Sequence, residues 1–242
     1  MNIAVVLAGG TGERLGAGKP KQFVEIFGKP LIAYSLEIYQ KAACIDAIEV
    51  VSVPEYIDTI WKIAKDYNIG KLKWVVPGGA SCQDSTRNGI FYLQGKINNE
   101  DMISLNMSTS IFVSEDILED SFTTAQKHGS AFACMQCIYN NAETFDGVAS
   151  TRIHFKETHK TINMPWTASF GKLNAMYQKA YLEGIETSPA SYMPTLFLAL
   201  GETLYMSKDT SLNKLHITTP EDMEIVTAIL EHRENHRDKG ES

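Results

Sequence analysis

Ile3-Ala4-Val5-Val6-Leu7-Ala8-Gly9-Gly10-Thr11-Gly12-Glu13-Arg14-Leu15-Gly16, with Lys19-Pro20-Lys21-Gln22-Phe23 close behind, decides the fold of this chain. An apolar run of strand length meets a turn dense in glycine, so backbone N–H groups crowd the end of a buried strand. Glycine lets that backbone approach a bulky anion closely, and Arg14 and Lys21 supply compensating charge. The pattern suits a polyphosphate. It is not the dinucleotide fingerprint, which would need Gly where Leu15 stands, and no G-x-x-x-x-G-K-[ST] loop is present. The plain alternative is a glycine-rich strand-to-helix turn without a ligand, which leaves the nearby cations unexplained.

Working outward, apolar runs alternate with amphipathic stretches of helical length. Strands are expected at 2–8, 47–53, 72–76, 101–105, 130–138, 202–206 and 213–217. Helices are expected at 31–42, 55–67, 84–95, 115–128, 171–183 and 219–236. This alternation predicts an α/β fold with a mostly parallel sheet flanked by helices on both faces. Thr219-Pro220-Glu221-Asp222 has a capping Thr, Pro at the first helical position and acids in the first turn. Residues 140–169 break the alternation.

With 242 residues, 44% of them hydrophobic, the chain can build one core, and a single domain over 1–242 is expected. A net charge of −7 argues against a broad nucleic-acid surface. No run approaches the roughly 18 apolar residues of a membrane span, and the N-terminus enters a strand without signal-type regions. A cytoplasmic protein with no membrane or nucleic-acid partner is expected. Cys134-Met135-Gln136-Cys137 lacks a second pair for zinc, and reads as a buried strand. His232 and His236, four apart on a charged helix end, read as a solvated face.

A second segment, Gly78-Gly79-Ala80-Ser81-Cys82-Gln83-Asp84-Ser85-Thr86-Arg87-Asn88-Gly89, follows a strand and opens a helix, where free N–H groups point outward. Ser81 or Asp84 as a simple helix cap is the plain alternative.

The opening pattern from Ala8 to Phe23, A-G-G-x-G-x-R-x-G followed by P-K-Q-F, closely resembles that of the cytidylyltransferases acting on methylerythritol phosphate and on ribitol or related polyol phosphates. The resemblance covers essentially the whole chain and is strongest at 3–34, 78–90 and 213–224. It implies a Rossmann-like nucleotidyltransferase, with CTP and a small phosphorylated acceptor as substrates and pyrophosphate as product. By the resemblance, Leu7, Ala8, Gly9, Gly10 and Gly12 cradle the nucleotide, and Gly79, Ala80, Asp84 and Ser85 hold the cytosine end. Arg14, Lys21 and Lys214 are the catalytic cations. The region 140–169 corresponds to an arm that pairs with a second subunit, implying a homodimer.

The chain departs from the family pattern elsewhere. Where the family has H-D-A-x-R-P-F-V, this chain reads Asn106-Met107-Ser108-Thr109-Ser110-Ile111-Phe112-Val113. Met107 replaces the magnesium-binding Asp and Ser110 the phosphate-binding Arg. A thioether is a poor ligand for a hard cation, so no protein metal ligand is assigned and magnesium is expected on CTP oxygens and water. Asp222 or Asp209 could supply a carboxylate, and the sequence alone does not place them. Q-T-P-Q-x-F becomes Asn163-Met164-Pro165-Trp166 with Phe170 later, and Tyr192-Met193-Pro194-Thr195 stands for an acidic motif. Arg152 is the nearest candidate for the arm's substrate-contacting Arg. In Asn213-Lys214-Leu215-His216-Ile217-Thr218 the Lys directly follows Asn, so Lys214 stands early or His216 shares its role. Three readings result: a divergent cytidylyltransferase; an inactive nucleotide-binding homologue with a regulatory or scaffolding role; and a transferase using another base or a sugar nucleotide.

Overall fold

A computed structural model describes residues 1–10, 15, 18–185 and 192–237. Its centre is a seven-stranded sheet. β1 (Asn2–Ala8) lies between β4 (Ala47–Ser52) and β6 (Met102–Met107), parallel to both, and β5 (Leu72–Pro77) extends the sheet beyond β4. Beyond β6 come β10 (Lys160–Ser169), β7 (Ser130–Gln136) and the edge strand β11 (Met206–Lys208). Only β10 runs against its neighbours; β11 is parallel to β7.

β1 shows why the sheet is covered on both faces. Ala4, Val6 and Ala8 pack into one apolar layer, while Ile3, Val5 and Leu7 pack into the other. A strand buried on both sides needs a continuous apolar run, which is what the sequence supplies. The first layer is completed by α1 (Leu31–Lys41), α2 (Ile57–Asp66) and α4 (Glu115–His128). The second is completed by α3 (Cys82–Tyr92), α5 (Phe170–Glu183) and the short α6 (Met193–Ala199). α4 carries Glu115 and Asp116 in its first turn, Lys127 and His128 in its last, and ends on Gly129 at φ 88°. Each charge complements the helix dipole, and glycine accepts the left-handed cap.

A third cluster places α7 (Pro220–Arg237). Val226 packs with Ile217, Phe112 and Ile26, the last on the two-residue pair β2 (Glu25–Ile26) and β3 (Lys29–Pro30). Asp222 Oδ2 accepts the N–H groups of Thr218 and Thr219, both at 2.8 Å, and Thr219 Oγ1 accepts from Asp222 N at 3.3 Å. This is the reciprocal cap expected from Thr219-Pro220-Glu221-Asp222.

Three expectations change. Residues 160–169, placed with the irregular arm, are a strand in the middle of the sheet. β10 pairs with β6 and β7 and shifts register between Ile162 and Trp166. That bulge takes Asn163, Met164 and Pro165 out of the ladder, where a proline lacking an N–H is tolerated. The part outside the sheet is a hairpin of β8 (Asn141–Glu143) and β9 (Arg152–His154). Residues 213–217 form no strand: β11 takes the sheet edge, at 206–208 rather than 202–206. Residues 213–217 instead leave a hydrogen-bonded turn, Lys214 N to Thr210 O and Leu215 N to Leu212 O, as an irregular connection that Asn213 ties to Met164 O. α6 was not expected from the sequence. Among the described residues no helix is long and apolar enough to cross a membrane.

Candidate active site

The chain leaves β1 for β4 on one side, and β6 returns on the other. Such a switch in strand order opens a crevice beyond the carboxyl ends of the strands, a common ligand position in open α/β sheets. Leu7 and Ala8 end β1 there, level with Met107 at the end of β6. Gly9 and Gly10 follow. Gly12 and Arg14 lie outside the described residues.

Gly9 and Gly79 meet around one buried hydroxyl. A Cβ on Gly9 would stand 3.2 Å from Ser85 Oγ, and one on Gly79 would overlap Asp84 Cβ. Gly79 donates its N–H to Ser85 Oγ at 3.0 Å. The loop after β1 and the loop opening α3 therefore approach more closely than side chains would permit. Ser81 caps α3, accepting from Asp84 N at 3.0 Å. The Asp84 carboxylate contacts Ser81 Oγ at 2.8 Å and Arg87 at 3.2 Å. Asp84 thus serves helix α3 in this geometry, while Gly79 and Ala80 are exposed at the mouth.

Lys21 connects the two ends of the chain. It opens the short 3-10 turn Lys21–Phe23, and its Nζ donates to the Ile217 carbonyl at 3.1 Å. The next residue, Gln22, is fully buried and donates to the Ala8 carbonyl at 2.6 Å, fixing the turn under β1.

Lys21, His216, Thr218 and Asn163 are among the residues that line an open cleft of about 390 Å³. Met107, Ile162, Met164, Trp166, Tyr192 and Cys82 complete the lining. Met164 and Trp166 reach it because β10 bulges there, and the Trp166 ring stands 6.3 Å from that of Tyr192. His216 Nε2 lies 2.6 Å from Asn163 Oδ1, and Asn163 Nδ2 donates to Asn213 O at 3.1 Å and Asp209 Oδ2 at 3.3 Å. Asn213 in turn donates to Asp209 Oδ1 at 2.6 Å and Met164 O at 2.9 Å. Burial, and then the charge of Lys21, hold the His216 imidazole below its usual pKa, against the opposing pull of Asp209 and Asp222. Lys214 is exposed on the same segment and does not line the cleft; His216 does.

The cleft does not offer magnesium a protein cage. Met107 stands where the resemblance expects a carboxylate. Asp209 is engaged by two asparagines, and Asp222 caps α7. Burial pushes the Asp222 carboxyl up, but hydrogen bonds from Thr219 and Thr218 and the Lys21 charge outweigh it and hold the carboxyl below its usual range. Among the described residues no cluster of three metal-binding side chains forms.

Sequence reading flagged Trp166 and His216 at this site, but not Tyr192 or Cys82 as part of one cleft. Tyr192 arrives with α6, whose short apolar stretch gave no periodic signal.

The model of the family described as IspD, 2-C-methyl-D-erythritol 4-phosphate cytidylyltransferase, matches residues 2–232. A ribitol-5-phosphate cytidylyltransferase of Lacticaseibacillus paracasei is 31% identical over 97% of this chain and 100% of that protein. A 2-C-methyl-D-erythritol 4-phosphate cytidylyltransferase of Petrotoga mobilis is 30% identical, covering 96% of this chain and 99% of the relative. The solved 4-diphosphocytidyl-2C-methyl-D-erythritol synthase of Anaerococcus prevotii superposes with a TM-score of 0.80 at 19% identity, over 96% of each chain, and so shares the fold. With the sheet order, the glycine loop and the Lys21 turn already in place, the match over nearly the whole length shows that this chain belongs to the 2-C-methyl-D-erythritol 4-phosphate cytidylyltransferase (IspD) family.

Proposed function

We propose that this chain transfers a cytidylyl group from CTP to a small phosphorylated acceptor of the polyol-phosphate type. The observation that carries the reading is the convergence of Gly9, Gly79 and Ser85 at the end of β1, beside the Lys21 ammonium. An acceptor phosphate oxygen attacks the α-phosphorus of CTP. The new P–O bond forms as the bond to the bridging oxygen of the β-phosphate breaks, and that electron pair leaves with pyrophosphate. The attacking phosphate is already anionic, so the protein needs no covalent intermediate or general base. Its work is in-line positioning and charge neutralisation.

In this reading Lys21 and Arg14 neutralise the triphosphate and the leaving pyrophosphate. The segment from Asn213 to Thr218, whose Ile217 carbonyl accepts from Lys21, acts beside it, with His216 lining the cleft and Lys214 exposed to solvent. Gly10 and Gly12 bring backbone N–H groups to the phosphates, and Gly79, Ala80 and Ser85 meet the base. Magnesium, held by phosphate oxygens and water, would add neutralising charge. We further propose a cytoplasmic homodimer built through the β8–β9 hairpin, where Phe145, Val148 and Ile153 are exposed.

The test is pyrophosphate release from CTP and magnesium with ribitol 5-phosphate, methylerythritol 4-phosphate and other phosphorylated acceptors. Acceptor-dependent release that disappears in Lys21→Ala supports the reading. CTP binding with no release from any acceptor sinks it.

A further inference from the structure

We propose, resting on the cytidylyltransferase reading, that His216 selects for hydroxyl-bearing acceptors: Asn163 locks the imidazole proton on Nε2, and Nδ1 is left to accept a hydroxyl of the polyol phosphate. The first step is the orientation of the Asn163 side chain. Its Nδ2 faces Asn213 O at 3.1 Å and Asp209 Oδ2 at 3.3 Å, a carbonyl and a carboxylate that accept. Turned over, the amide would set its own oxygen against both. Asn213 fixes Asp209 by donating to Oδ1 at 2.6 Å, and is itself tied to Met164 O at 2.9 Å. Asn163 and Asn213 are both buried, so these bonds form away from competing water.

That orientation decides the tautomer of His216. Asn163 Oδ1 lies 2.6 Å from His216 Nε2. An amide oxygen only accepts, so Nε2 carries the proton and the neutral ring has its lone pair on Nδ1. Nδ1 has no partner among the described residues, and it is not one of their buried unpartnered polar atoms. The ring lines the cleft, so this nitrogen is reached from there.

The surrounding charges favour the same role. Burial and then Lys21 hold the imidazole below its usual pKa, while Asp209 and Asp222 pull the other way. The other titratable side chains lining the cleft are Cys82, whose thiol burial pushes up, and Tyr192. With the ring neutral, the acceptor phosphate falls to the Lys21 ammonium. A lone pair on Nδ1 suits a hydroxyl, which can donate, and repels a phosphate oxygen, which cannot.

Nuclear magnetic resonance of protein carrying isotope-labelled histidine reads the tautomer directly. At neutral pH His216, identified by the signal missing from His216→Gln, should carry its proton on Nε2, and Asn163→Ala should mix the two forms. A proton on Nδ1 in the unaltered protein overturns the proposal. Kinetics with CTP and magnesium then compare ribitol 5-phosphate with pentyl phosphate, as substrate or competitive inhibitor. Pentyl phosphate keeps the phosphate and the carbon chain and lacks the hydroxyls. His216→Gln keeps a donor for Asn163 and loses the acceptor at Nδ1. It should raise KM for ribitol 5-phosphate about fivefold or more, with little change for CTP or pentyl phosphate. An equal rise for both phosphates overturns the proposal. In the unaltered protein KM for ribitol 5-phosphate should climb as pH falls below about 6.5. The climb should exceed that of His216→Gln, whose profile records the ionisation of the phosphate itself near about pH 6. A KM that falls in acid shows an imidazolium gripping the phosphate, and also overturns the proposal. Should a variant fail to fold, or no acceptor release pyrophosphate, the labelled unaltered protein is titrated with both compounds. A shift of the His216 Nδ1 signal with ribitol 5-phosphate alone keeps the hydroxyl contact, whatever becomes of the transfer reaction. No shift, or the same shift with both, overturns it.

Discussion

Lys21 Nζ donates a 3.1 Å hydrogen bond to the carbonyl of Ile217, joining residues 196 positions apart at the cleft. The bond orients an ammonium group toward the space where the reaction is proposed to occur. A neutral side chain of similar length would keep the packing and lose the charge. Lys21→Met is expected to cut pyrophosphate release on the order of 100-fold or more, with a melting temperature close to that of the unaltered protein. Steady-state assay and thermal denaturation check both halves. Unchanged turnover would remove Lys21 from the chemistry.

Gly79 faces Asp84 so closely that a methyl group has no room. Gly79→Ala should destabilise the protein by about 1–3 kcal/mol, lowering the melting temperature by roughly 2–4 °C for each kcal/mol in a chain of this size. CTP affinity should fall as well, since the clash displaces the loop that Ser85 anchors. Calorimetric titration reads the affinity, and an unaltered Kd would detach this loop from the nucleotide.

Glu49 lies inside the sheet layer on β4, fully buried, and neither carboxyl oxygen has a partner among the described residues. Burial pushes its pKa well above the usual carboxylate range, with the Lys96 charge offsetting only part of this. The folded carboxyl holds its proton after the unfolded one has released it. Stability is therefore greatest below the unfolded pKa and declines as pH rises toward the folded one. Glu49→Gln removes that decline. Its advantage over the parent should widen by about 1.4 kcal/mol per pH unit within that window. Urea unfolding at several pH values tests this, and a difference independent of pH would contradict it.

His216 has the opposite sign. Its imidazole is held below its usual pKa, first by burial and then by Lys21. The neutral form is favoured on folding, so this contribution is present above the unfolded pKa and is lost as pH falls toward the folded one. His216→Gln should lessen the acid-side drop in melting temperature between neutral pH and about pH 5.5. Superimposable pH profiles for the two proteins would count against it.

Phe145, between the strands of the β8–β9 hairpin, is 96% exposed, and Val148 and Ile153 of the same hairpin are exposed too. A cluster of exposed apolar side chains on a protruding hairpin fits a covered surface in an assembly. Phe145→Asp should shift the chain from dimer to monomer in light scattering at micromolar concentration while leaving the melting of the monomer unit little changed. A parent protein that is already monomeric would refute the dimer.

Much of the fold was legible along the chain. The apolar runs expected as strands at 2–8 and 47–53 carry the two-sided burial of parallel strands, the run at 72–76 forms the half-exposed edge strand, and the glycines after Ala8 and Pro77 mark where two loops come close together. The cap of α7 was legible for the same reason: Thr219, Pro220 and Asp222 act on N–H groups within four residues.

β10 was not legible. Its Asn163-Met164-Pro165 stretch breaks the alternation that marks a strand, and its partners lie in β6 and β7, far away in sequence. Nor could the sequence choose between Lys214 and His216. Only the tertiary contacts put His216 in the cleft beside Asn163 and leave Lys214 exposed on the preceding turn. By itself the sequence determined the layered α/β plan, the glycine-rich turn after the first strand and the altered residues at Met107 and Trp166, because those are properties of local pattern and residue chemistry. The tertiary structure alone decided that Met107, Trp166 and Tyr192 share one cleft with Lys21, because long-range strand pairing, not local preference, brings them together.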